Sequence, residues 1–242
     1  MSFLILSTLL VVSIVMLFLT DSTIISGISM SYIAAYVFYL INEVLPTSRK
    51  CTTEKVLVYR KLQILLVRLD SIFEEVLEVS KRPRKLKEYK LDEFFSKEVL
   101  QSCLVGFDDN QDGISVSFSQ PYKAIKCSDH FLSLWKEIRD YGQSICETNC
   151  MAYDKTELVY CISYLINESS ISHYFAIKSH RIRSEFGCIL SLNQIDTQYF
   201  SEAVMNIKKL HRIAFSLYDS LKRKKKYRQI VYEPYFYSQE RN

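Results

Sequence analysis

Along the first forty or so positions apolar residues follow one another with almost no polar interruption, and beyond them the chain turns amphipathic. Phe3–Leu19 (FLILSTLLVVSIVMLFL) has only Ser7, Thr8 and Ser13 as polar side chains. At a rise of about 1.5 Å per residue it just reaches across a hydrocarbon core of roughly 30 Å. Thr23–Leu45 (TIISGISMSYIAAYVFYLINEVL) carries no charge before Glu43, and Pro46 is expected to end it. Asp21, Ser22 and Thr23 stand where an N-cap is wanted, so the link is a tight turn and the two helices run antiparallel. No Lys or Arg precedes the first segment and no small-x-small site follows it, which favours a retained span over a cleaved leader.

Past Pro46 the period becomes that of half-buried helices. Thr52 or Thr53 is expected to cap a helix running to about Ser80. Leu62, Leu65, Leu66, Leu69, Ile72, Phe73 and Val76 form its buried stripe, with Arg68 and Asp70 outside it. The basic run Lys81–Lys85, with Pro83 inside it, breaks that helix. A second helix is expected from Asp92 to about Val105 on Phe94, Phe95, Val99 and Leu100. Alternation appears at Ile114–Phe118 after the turn Asp112-Gly113, with Leu104–Phe107 as the expected strand partner. Further helices are expected from Asp129, across about Thr156–Asn167 and Ser172–Leu190, and finally across Thr197–Lys224. The fold class is therefore an N-terminal two-helix transmembrane hairpin plus a mainly α-helical cytoplasmic domain with at most one small β-hairpin. The expected division is 1–46 for the hairpin, with spans at about 3–19 and 23–45. A helical domain follows over 47–228, then a Tyr-rich tail over 229–242.

Charge orients this plan. Lys+Arg 31 against Asp+Glu 27 gives +4 overall, and Asp21 is the lone charge before Glu43. Arg49, Lys50, Lys55, Arg60 and Lys61 crowd the exit of the second span. The positive-inside bias then places both termini in the cytoplasm. Five Gly and four Pro in 242 residues disfavour a turn-rich β fold. Seven scattered Cys, read as reduced thiols, are small core residues; Cys146, Cys150 and Cys161 lack the CxxC or paired-His spacing of zinc sites.

The second span has a patterned surface. Gly27, Ser31 and Ala35 recur every four residues, beside a Tyr32, Tyr36, Tyr39 stripe. Two readings stand: the small residues pack against the first span, or they let another copy approach closely. No ionisable side chain lies mid-span, which speaks against a dedicated ion relay.

Chemistry is sparse elsewhere. Asp108, Asn110 and Asp112 with Gly113 resemble the first half of an EF-hand calcium loop. The match fails where Ser119 stands in place of a bidentate Glu, and a polar hairpin turn explains the same residues. His130, His173, His180 and His211 sit in no metal or hydrolase motif, and no glycine-rich phosphate loop occurs. The carboxylates read as solvated helix faces. No catalytic residue, cofactor or small-molecule substrate is expected, and the chain reads as a non-enzyme. The basic run Lys222, Arg223, Lys224, Lys225, Lys226 and Arg228 suits a solvated helix end, anionic lipid or a nucleic-acid backbone, with Tyr227 and Tyr232 available for stacking.

The spans 3–19 and 23–45, the exit Pro46-Thr47-Ser48-Arg49-Lys50 and the helical remainder without catalytic motifs resemble the two-transmembrane effectors of bacterial antiphage defence, and among them the membrane effectors of retrons. That resemblance implies a toxin held silent by a reverse transcriptase and its RNA–DNA product, which on release depolarises the inner membrane. It implies the lipid bilayer and that nucleoprotein as partners, with self-association through the hairpin. A membrane-tethered adaptor without pore activity is the other reading of the same layout.

Overall fold

A computed structural model of the chain describes residues 2–19, 22–104, 107–108, 110–116, 124–148, 156–179, 197–224, 227–229 and 231–241. The chain divides into two compact units, Met1–Glu54 and Lys55–Asn242.

The first unit is a pair of packed helices, α1 (Ser2–Leu19) and α2 (Thr23–Tyr39). Ser22 occupies the N-cap position of α2, without a side-chain cap bond. Pro46, whose missing N–H is expected to end the second helix, does not stop the helical backbone. A π-turn over Leu40–Val44 precedes it, with the Leu45 N–H reaching back five residues to the Leu40 carbonyl, and α3 (Leu45–Val79) starts immediately. A widened turn relieves the clash a proline ring otherwise makes with the carbonyl four residues earlier. Thr52 and Thr53 are likewise interior residues, not caps; their hydroxyls donate to the Ser48 and Arg49 carbonyls at 3.0 and 3.1 Å. The helical stretch beginning at Thr23 contains an 18-residue apolar window that is only 11% buried. It is long and apolar enough to cross a membrane; Leu6–Leu19 is a shorter apolar helix.

The second unit is built around the part of α3 beyond Lys55. Leu62, Leu65, Leu66, Leu69, Ile72, Phe73 and Val76 are all buried, as their spacing predicts. The helix closes with a left-handed residue, Lys81 at φ 52°, whose turn lets the Arg82 N–H reach the Leu77 carbonyl at 3.0 Å. The expected helix from Asp92 to Val105 is two shorter ones, α4 (Leu91–Phe94) and α5 (Lys97–Leu104), which drive Phe94 and Phe95 into the core against Phe73. Strand β1 (Asp112–Val116) pairs antiparallel with β2 (Ala124–Lys126); of the expected partner Leu104–Phe107, Leu104 belongs to α5 and residues 105–106 lie outside the described residues.

Next come α6 (Cys127–Glu147), α7 (Thr156–Ser163), a π-turn over Tyr164–Glu168, α8 (Ser170–Ser179) and α9 (Thr197–Lys222). Helix α6 begins two residues before Asp129, which sits in its first turn. Helix α8 starts earlier than the sequence suggests because the Ser169 hydroxyl accepts the Ser172 N–H at 3.0 Å. The rest of the expected Ser172–Leu190 helix lies outside the described residues. Gly142 sets the approach of α6 to its neighbour: a Cβ there would stand 3.0 Å from Ile162 Cγ2 and 3.3 Å from Ile166 Cγ2. Lys61 ties α3 to the C-terminal end of α6, donating to Ser144 Oγ at 2.7 Å and Thr148 Oγ1 at 3.2 Å.

The Tyr-rich C-terminal segment packs rather than trails. Val231, Phe236 and Tyr237 are buried, and a short α10 (Tyr237–Arg241) follows. The Tyr59 hydroxyl donates to the Tyr232 carbonyl, and Glu240 accepts the Leu91 N–H at 2.9 Å.

Candidate functional site

On α2 the side facing α1 is polar in a specific way. Ser29 and Tyr36 are buried; the Tyr32 hydroxyl donates to the Leu6 carbonyl at 3.0 Å, and Ser7 Oγ lies 3.2 Å from the Tyr36 hydroxyl. Residues 29, 32 and 36 follow the helical period, so this contact uses the tyrosine stripe. Gly27, Ser31 and Ala35 are exposed, and a Cβ built on Gly27 meets no atom within 4 Å. The first of the two sequence readings, small residues packed against the chain's own first helix, is therefore not what the structure shows. Tyr39 is also exposed.

The second unit holds a feature that sequence reasoning missed. Two carboxylates on α3, Asp70 and Glu75, are buried at 2% and 1% exposure, although carboxylates were expected on solvated faces. Each meets a histidine. Asp70 Oδ1 lies 3.2 Å from His211 Nε2 on α9, and Glu75 Oε2 contacts His130 Nδ1 on α6. A signal existed in the spacing. Asp70 stands four after Leu66 and seven before Leu77, and His211 stands four after Ile207 and three before Ala214, so both occupy apolar positions of their helices.

The two pairs differ. Glu75 and His130 make direct contact, and the second Glu75 oxygen occupies the space beside Gly113, where a Cβ would stand 2.1 Å from it. Gly113 thus serves the close approach of a buried carboxylate. The three calcium-loop candidates are exposed, and Asp108 Oδ1 accepts the Asn110 N–H at 2.9 Å, closing an Asx turn that delivers Asp112 to β1. Asp70 and His211 lie close without hydrogen-bond alignment. Among the described residues neither carboxylate oxygen of Asp70 and neither ring nitrogen of His211 has a hydrogen-bond partner. Both line a cavity of about 70 Å³, together with Tyr59, Gln63, Glu233 and Tyr235. Burial pushes the Tyr59 phenol well up from its ordinary value. Tyr235 is raised by burial and by the nearby carboxylates of Glu74 and Asp70.

The basic end is partly described. Lys222, Arg223, Lys224 and Arg228 are exposed, whereas Lys225 and Lys226 lie outside the described residues. The Lys222 ammonium stands 5.1 Å from the Tyr218 ring centre, and Tyr232 is open to solvent. Cys103, Cys127 and Cys161 are buried, and burial raises the thiols of Cys103 and Cys161, as for thiols used as small core groups. No known protein family, curated protein or solved structure matches this chain.

Proposed function

We propose that this chain is a membrane-disrupting effector. Its N-terminal hairpin crosses a bacterial inner membrane with both termini cytoplasmic, associates with copies of itself and depolarises the bilayer. The observation that carries this reading is the orientation of α2: its tyrosine face is spent on α1, while Gly27, Ser31 and Ala35 face outward. In lipid, helices associate through close packing of small residues, because tails are as apolar as the side chains they would release. An outward small-residue face on an apolar hairpin is suited to a second hairpin. The second unit then acts as a restraint. Its exposed basic end suits a partner bearing nucleic acid, of the kind the resemblance to retron effectors implies: a reverse transcriptase with its RNA–DNA product.

Expression of the full chain without such a partner should collapse the membrane potential reported by a voltage-sensitive dye. Gly27→Leu and Ala35→Leu should each abolish the collapse at equal membrane insertion. An intact potential with the unaltered chain verifiably inserted would overturn the effector reading and leave a membrane-tethered adaptor.

A further inference from the structure

We infer that the cavity between α3, α9 and the segment Glu233–Tyr235 binds a small organic cation, of the alkylammonium class. At its wall are Asp70 and His211, both more than nine-tenths buried and without hydrogen-bond partners among the described residues. A carboxylate removed from water and left without a donor is costly, and an imidazole 3.2 Å away but misaligned does not satisfy it. The missing complement is a positively charged N–H donor.

The rest of the lining selects the same chemistry. Glu233 adds a second carboxylate, and His211 is the one basic side chain among the lining residues. An anion would meet two negative groups. A purely apolar ligand would leave the Asp70 oxygens unpaired. A hard metal ion needs six or more oxygens, whereas beyond Asp70, Glu233, Gln63 and the two tyrosines the wall is Leu66, Val67, Ala214 and Pro234. Tyr235, only partly buried, supplies aromatic surface, which attracts an organic cation and packs on its alkyl part. The volume of about 70 Å³ suits a ligand of a few heavy atoms.

The test uses the full chain in detergent micelles and n-propylammonium as probe, read by saturation-transfer NMR, with propionate and sodium at equal ionic strength as controls. Propylammonium should bind saturably in the millimolar range that so small a ligand allows, and propionate should not. Asp70→Asn should weaken binding at least tenfold. If that variant fails to fold, Val67→Phe decides the question: Val67 is 43% exposed at the lining, so the larger ring blocks the cavity without entering the core. Loss of the signal in Val67→Phe supports the site. No saturable binding to the folded full chain, or full affinity in Val67→Phe, overturns it.

Discussion

Replacing Gly113 by Ala tests the claim that a buried carboxylate shapes the β1 turn. The added methyl would stand 2.1 Å from Glu75 Oε1, 3.0 Å from the Ile125 carbonyl oxygen and 3.3 Å from Cys127 Sγ. The first separation is impossible, so the Glu75 carboxylate must move. It is 1% exposed and its other oxygen holds His130, so movement strains or breaks a charge-assisted contact. Such contacts contribute about 1.5–3 kcal/mol. Stranding one partner of a fully buried pair costs more, but the His130 side chain is 25% exposed and water can replace part of the interaction. The expected destabilisation is about 2–3 kcal/mol. For a unit of this size that lowers Tm by roughly 4–12 °C. Thermal unfolding followed by near-UV circular dichroism on the full chain in detergent provides the readout. In a Glu75→Ala background the carboxylate is gone, only the contacts to Ile125 and Cys127 remain, and Gly113→Ala should cost less than about 1 kcal/mol. Equal costs in the two backgrounds would refute the reasoning.

Two further outcomes are expected. Lys81→Gly removes the penalty of a side chain at φ 52° and should raise stability by about 0.5–1 kcal/mol, seen as a higher urea midpoint at unchanged slope. The Asp92 carboxyl is held below its usual value of 3.8, first by the Lys208 hydrogen bond and then by Arg212. Its contribution is therefore present above pH 3.8 and lost as pH falls through the lower folded value. Because Asp92 is 56% exposed, that contribution is well under about 1 kcal/mol. Urea midpoints of Asp92→Asn should fall below the unaltered chain at pH 6, and the gap should narrow as pH is taken below 3.8.

Much of the fold is legible in the sequence wherever one face of an element repeats. The α3 stripe from Leu62 to Val76 and the long α9 each carry enough periodic positions for burial to follow from spacing alone, while the two N-terminal helices are legible from their unbroken apolar composition. Boundaries are less legible, because they depend on single local competitions. A π-turn carries the backbone past Pro46, Ser169 starts α8 early, and the Thr52 and Thr53 hydroxyls bond back into their own helix. Three things only the tertiary structure decided. The strand partner of Asp112–Val116 lies downstream, at Ala124–Lys126, because pairing depends on which segment the core leaves extended. The direction of the Gly27, Ser31 and Ala35 face depends on which side of α2 meets α1, and the Tyr32 and Tyr36 hydroxyls, with acceptors and partners on α1, take that side. The burial of Asp70 and Glu75 is likewise tertiary. A carboxylate's own chemistry assigns it to water, and only the packing of α6, with His130 against Glu75, and of α9, alongside Asp70, overrules that assignment.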